Sequence, residues 1–334
     1  MGLPNSLTYL AALALAMLLL VSHAGSQQRK PDDGLTPTIQ VEVNVVNILA
    51  TVRDKHGAFV KNLTKDDFIL TEHHQPQQIK YFEHETDVPL TIGLLIDVSG
   101  SQSGLVDIER QAASQFFSQV LREGDVAFLI RFSGDVELLQ DITGSPRVLQ
   151  AALQGQGVSS GGNPQPSPVV LTVSSGGTAL YDAVYVAARE RFMHRAGRKA
   201  MVLITDGIDF GSDRTLADAI KTAQQADTVI YSIRYFDLGA YVDNSFQVYT
   251  QVMDSALRTM SEETGGRVFY VDKKHPLPQV FDELQQEMRS QYAISYAPTT
   301  EKLDGSYRRV NLRMRDHNLK VQARKGYYAI PSRK

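Results

Sequence analysis

The chain of 334 residues contains no cysteine. That excludes a disulfide framework, a thiolate metal site, a cysteine nucleophile and a lipid-modified N-terminal cysteine. Strong charge of either sign is also missing. The formal net charge is −3, which gives no pointer to nucleic acid. No Walker-type Gly-Lys-Ser is present. Met1 to Ser6 lacks Lys and Arg, so only the α-amino group supplies positive charge there. Behind it, residues 7–21 form an almost unbroken apolar run, short for a transmembrane span. Ser22-His23-Ala24-Gly25 follows as a small-x-small cleavage pattern. The expectation is a signal peptide over residues 1–24 and an exported chain, secreted or in the periplasm or cell envelope. A short uncleaved anchor is the alternative. Export fits the missing cysteines and gives access to abundant divalent cations.

What is present is ordinary globular material, 43% hydrophobic, long enough for one large domain and one small one. Residues 25–37 are polar and read as a flexible linker. Residues 38–86 read as a small β module. Ile39, Val41 and Val43 alternate with polar residues, and Leu49 to Val52 continues as a second strand. Asp54-Lys55-His56-Gly57 is a hairpin turn, and Asp66 to Leu70 and Gln78 to Phe82 supply two more strands. His73-His74 falls in a turn; no third ligand accompanies the pair, so a solvated turn is expected rather than a metal site. A module this small is marginal alone. Residues 292–334 return to strands (Tyr292 to Tyr296, Tyr307 to Met314, Leu319 to Tyr328), expected to pair with one another and pack on the N-terminal module.

Residues 87–291 alternate strands and helices. Leu90 to Ile96 lacks polar alternation and reads as a strand buried on both faces. Leu105, Ile108, Ala112, Phe116 and Val120 mark one face of the helix after it. Further strands are expected at Val126 to Ile130, Val136 to Leu139, Lys199 to Ile204, Thr228 to Ile233 and Arg267 to Val271. The tight turn Ser133-Gly134-Asp135 makes the third of these antiparallel to the second. Helix patterns lie at 179–195, 215–226, 247–264 and 277–289. Right-handed crossovers then give an α/β fold with a doubly wound, mostly parallel six-stranded sheet in the order 3-2-1-4-5-6.

At the end of the first of these strands the sequence becomes Asp97-Val98-Ser99-Gly100-Ser101. Three hard oxygen donors sit at the carboxyl end of a central strand, where open α/β sheets bind ligands. Oxygen donors without nitrogen or sulfur suit Mg²⁺, Mn²⁺ or Ca²⁺. Asp206 ends the fourth strand, next to the first across the topological switch point. Ser174-Ser175-Gly176-Gly177-Thr178 leads into a helix; Thr178 is either its N-cap or a metal donor. Asp182 is expected to support the first helical turn through the dipole.

Asp97-x-Ser99-x-Ser101, Thr178 and Asp206 together resemble the metal-ion-dependent adhesion site of von Willebrand factor type A domains. The resemblance covers about Pro89 to Gln291. The flanks, Ala50-Thr51-Val52-Arg53-Asp54, Asp66-Asp67-Phe68 and Arg324-Lys325-Gly326-Tyr327-Tyr328, resemble a secreted bacterial, acidobacterial-type family related to these domains. Gln102 departs from the hydrophobic residue often found there, and Glu72-His73-His74 from an acidic-Asp-Gly turn. The resemblance implies Asp97, Ser99, Ser101, Thr178 and Asp206 as ligands of Mg²⁺ (or Mn²⁺ or Ca²⁺). It implies a protein partner presenting Asp or Glu. The net charge leaves no expected nucleic acid, the short cleavable run no expected membrane span in the mature chain, and the missing motifs no expected catalytic residue.

Specificity then falls to the rim: the Gly/Ser/Pro-rich stretch 155–177, and Tyr241 and Phe246 as exposed aromatics. Tyr235 and Phe236 are expected to finish a strand in the core. Two rival readings remain. One is a structural module without an occupied metal site. The other is a metal-dependent hydrolase, for which the base beside the metal is missing. Gly100-Ser101-Gln102-Ser103-Gly104 has the outline of a nucleophile elbow with Gln at its centre.

Overall fold

The computed structural model describes residues 45–85, 88–99, 106–155, 169–173, 177–235, 246–300 and 302–330. The expected signal peptide, linker and strand at Ile39 to Val43 lie outside the described residues, as do Ser101, Gln102, Phe236, Tyr241 and the side chain of Phe246.

In chain order the strands are β1 (Val46–Arg53), β2 (Phe68–Glu72), β3 (Gln75–Pro76), β4 (Ile79–Glu85), β5 (Leu90–Asp97), β6 (Val126–Phe132), β7 (Asp135–Thr143), β8 (Val169–Val173), β9 (Arg198–Thr205), β10 (Val229–Arg234), β11 (Val268–Tyr270), β12 (Gln291–Tyr296), β13 (Tyr307–Met314), β14 (Lys320–Ala323) and β15 (Gly326–Tyr328). The helices are α1 (Val106–Val120), α2 (Pro146–Leu153), α3 (Leu180–Val186, continued by wide turns over Ala187–Phe192), α4 (Leu216–Gln225), α5 (Phe246–Thr264) and α6 (Leu277–Met288). No helix among the described residues is long and apolar enough to cross a membrane.

The central sheet runs β11-β10-β9-β5-β6-β7-β8. Strands β11 to β6 are parallel, and β7 and β8 are antiparallel to their neighbours. All eight residues of β5 are buried, as an unbroken apolar run in a sheet covered on both faces must be. On one face Ile92, Leu94 and Ile96 meet α1, α2 and α6, where Phe116 stacks on Phe281 at 4.4 Å. On the other, Leu95, Ile130 and Leu203 meet α3, α4 and α5.

The order expected for six strands is present, but the sheet has seven. The extra strand is β8, inside the stretch expected to be loop. Its Val-Val-Leu-Thr-Val run of branched residues pairs with the open edge of β7. A second difference is α2, which opens on Ser145-Pro146. The Ser145 hydroxyl accepts the Val148 N–H, and Pro146 occupies the first turn, where no N–H is needed.

The flanking strands form two antiparallel four-stranded sheets, β14-β1-β12-β4 and β15-β13-β2-β3. Ile48, Phe68, Tyr292, Tyr296, Val310 and Tyr327 share one core between them. Among the C-terminal strands only β13 and β15 pair with each other, whereas β12 and β14 both pair with β1. The expected single strand from Leu319 to Tyr328 breaks at Lys325. Gly326 packs so closely on Tyr307 that a Cβ there would lie 2.3 Å from the ring.

The His73-His74 pair is exposed, and both residues have left-handed backbones, φ 45° and 67°. Among the described residues no three His, Asp or Glu side chains cluster to hold a metal. The left-handed conformation costs a non-glycine residue on the order of 1 kcal/mol. Replacing the pair by Asn-Gly (His73→Asn with His74→Gly) is therefore expected to raise the melting temperature by roughly 2–4 °C, read by differential scanning calorimetry. An unchanged or lower value would show that the histidines make a contact that offsets the strain.

Candidate metal centre

Three chain segments meet at the carboxyl ends of β5 and β9. Asp97 is the last residue of β5, paired with Phe132 of β6, and Ile96 faces Ile204 on β9. Its carboxyl is fully buried. One oxygen, Oδ1, accepts the Ser99 N–H at 2.9 Å, the Asx-type turn that an Asp-x-Ser sequence favours. The Ser99 hydroxyl also bonds this carboxyl. The other oxygen, Oδ2, accepts the Thr205 hydroxyl at 2.6 Å. Asp206 follows directly, 1% exposed, with its Oδ1 accepting the Ile208 N–H at 2.9 Å.

Thr178 enters from the third segment. Its N–H donates to the Phe210 carbonyl at 2.8 Å, and the Phe210 N–H donates back at 2.9 Å. That latch ties Thr178 to the loop that begins at Asp206. A second tie comes from the β6–β7 turn. The Val98 N–H reaches the carbonyl of Phe132, and the Ala179 N–H reaches the carbonyl of Ser133. Two consecutive carbonyls thus hold the residues that follow Asp97 and Thr178.

The capping alternative for Thr178 does not describe this helix. The N-cap of α3 is Ala179, without a side-chain cap bond. The Tyr181 and Asp182 N–H groups are instead met by Ser212 Oγ at 3.1 and 3.2 Å, and Asp209 Oδ1 also accepts from Tyr181 at 3.1 Å. Asp182 stands in the first turn of α3, as expected, and also works beyond it. Its carboxylate accepts the N–H groups of Asp213 and Arg214, both at 2.9 Å, and so fastens the loop after Asp206. Thr205, Asp209 and Ser212 were not legible in the sequence. All three act across segments distant in the chain, and only the strand-end position of Thr205 hints at its role.

Burial pushes the Asp97 carboxyl up to about 6, and the nearby Asp206 charge adds to the rise, while Ser99 and Thr205 pull the other way. The raised group is protonated in the folded chain over a range where the unfolded chain has already ionised. With chelator present, stability therefore falls as pH rises from about 4 to about 6. Asp97→Asn, which cannot ionise, is expected to remove that part of the dependence, followed by urea denaturation at several pH values. Parallel wild-type and variant curves would contradict the assignment.

The donor chemistry fits a hard divalent cation. Asp97 and Asp206 bring carboxylates and Ser99 and Thr178 hydroxyls, all buried and without nitrogen or sulfur. The fifth expected donor, Ser101, lies outside the described residues, as do the rim candidate Tyr241 and the Phe246 side chain. Tyr235 packs on the core, and its N–H donates to the Thr205 carbonyl at 3.1 Å.

The von Willebrand factor type A domain family model matches residues 167–283, a segment that includes Thr178 and Asp206. No curated protein matches the chain. Similar solved structures include an aerotolerance-related membrane protein from Bacteroides fragilis, at 18% identity over 60% of this chain and 98% of that one (TM-score 0.42). Another is the vWF domain of a type V pili tip protein from Porphyromonas gingivalis, at 14% identity over 60% and 95% (TM-score 0.42). A third is proximal thread matrix protein 1 from the mussel byssus with a zinc-occupied MIDAS motif, at 13% identity over 65% of this chain and 49% of that one (TM-score 0.45).

Proposed function

We propose that the chain is an exported, non-enzymatic binding module of adhesion type. In this reading Asp97, Ser99, Ser101, Thr178 and Asp206 hold a divalent cation, Mg²⁺ first and Mn²⁺ or Ca²⁺ as alternatives. A bound ion supplies a Lewis-acidic position for the Asp or Glu carboxylate of a partner protein. The residues do the rest. Thr205 and Ser99 orient the Asp97 carboxyl, and the Phe210 latch fixes the Thr178 backbone. Residues 1–24 are the signal peptide and 25–37 the linker. The observation that carries the reading is the fastening of the residues after Asp97 and Thr178 to the adjacent carbonyls of Phe132 and Ser133, with Asp206 near the Asp97 carboxyl. The family-model match over residues 167–283 supports it.

Titration of the metal-free full chain with Mn²⁺, followed by electron paramagnetic resonance, tests it. Saturation at one ion per chain is expected. Thr178→Ala and Asp206→Ala are each expected to weaken binding by about tenfold or more, a loss of one charge-assisted ligand. Binding unaffected by either variant would place the ion elsewhere. Metal-dependent turnover of generic phosphate or ester substrates would overturn the non-enzymatic part.

A further inference from the structure

Phe210 is 73% exposed, the most exposed large hydrophobic side chain among the described residues. A single exposed apolar residue is ordinary. This one differs in how firmly its loop is held. Its backbone exchanges both hydrogen bonds with Thr178. On one side Asp206 Oδ1 takes the Ile208 N–H, and on the other Asp209 Oδ1 takes the Ser212 hydroxyl at 2.5 Å. The ring lies on Gly177, whose backbone is left-handed (φ +95°). A Cβ there would stand 2.0 Å from the Phe210 carbonyl oxygen and 2.6 Å from its Cδ1, so only glycine permits the approach. Folding gains little by burying a ring that stays in water, yet its platform is fixed in advance. Such preorganisation favours contact with a second molecule.

The position says which contact. Directly opposed residues of a hydrogen-bonded antiparallel pair carry their side chains on the same face. The Phe210 side chain therefore neighbours that of Thr178. The surrounding loop is acidic, with Asp206, Asp209 and Asp213, and its Arg214 guanidinium lies over the Tyr185 ring at 4.5 Å. A partner's carboxylate thus meets attraction at the ion and repulsion around it, and charge alone binds it poorly.

We infer that Phe210 is the apolar half of a two-part recognition surface. The cation takes the partner's Asp or Glu, and Phe210 packs against an aliphatic side chain adjacent to that acidic residue. This inference rests on the cation-dependent reading above. It excludes a partner whose acidic residue is flanked by glycine or by further acids.

The test uses the full chain loaded with Mn²⁺ and two probes, N-acetyl-Leu-Asp-Leu-amide and N-acetyl-Gly-Asp-Gly-amide. Water-proton relaxation reports displacement of water from the ion. The leucine peptide is expected to bind about fivefold or more tightly. With each chain first saturated with Mn²⁺, Phe210→Ser should abolish that preference and Phe210→Leu should keep part of it. Equal affinities in the unaltered chain, or a preference that survives Phe210→Ser, would overturn the role of Phe210 and leave the cation site standing. Failure of Mn²⁺ to bind would remove the underlying reading, and this one with it.

Discussion

Magnesium or manganese is expected to raise the melting temperature of the full chain, and Asp97→Ala to abolish the shift. A ligand that binds only the folded state stabilises it by RT ln(1 + [L]/Kd), about 2.7 kcal/mol at a hundredfold excess over Kd. For a chain of this size that is roughly 5–10 °C. Asp97 is the residue to remove because its carboxyl sits between Ser99, Thr205 and Asp206, so a cation among those groups must meet it. The fold should survive the change. The apolar core on both faces of β5 is untouched, and the stranded Ser99 N–H and Thr205 hydroxyl cost about 1–3 kcal/mol each. The cation shift should also shrink below pH 6, because protons compete for the same oxygen atoms. Calorimetry with and without chelator decides the matter. An equal shift in Asp97→Ala and the unaltered chain would show that the ion stabilises some other part of the molecule.

The second large effect belongs to Asp125, at the opposite end of the sheet. Its side chain is 3% exposed and serves three elements at once. The carboxylate accepts the Leu90 N–H at the start of β5 at 2.8 Å and the Arg122 N–H beyond α1 at 2.9 Å. It also pairs with Arg289, equally buried, at the end of α6. Asp125→Ala would leave a buried guanidinium with only the Val120 carbonyl, at 3.1 Å, as acceptor among the described residues. Breaking such a pair from one side costs about 3–5 kcal/mol. A loss of that size in the unfolding free energy from urea denaturation is expected, with Mn²⁺ affinity kept. Adding Arg289→Met should recover part of the loss, since the stranded charge is the main penalty. No recovery in the double variant would assign the cost to the Leu90 and Arg122 bonds instead.

Much of this architecture is local in origin and so was readable from the chain. Leu90 to Ile96 is unalternating and apolar, which places β5 inside a covered sheet, and Asp97 and Asp206 interrupt such runs at their carboxyl ends. Helix-period spacing marked α1 and α3 to α6. The order of six strands followed from handedness and short connections, which are rules about neighbours in sequence. Contacts between segments far apart obey no such spacing, and the tertiary structure alone decided them. Thr205 reaches Asp97 across 108 positions of sequence, and Ser212 caps α3 where Thr178 was the local candidate. Val169–Val173 becomes a strand because β7 offers it an open edge. The stretch from Leu319 divides between two sheets because Gly326 meets Tyr307. Phe210 owes its place to Thr178 and Gly177, more than thirty residues upstream. Periodicity records which face of an element avoids water, and it holds no record of which distant atom completes a hydrogen bond.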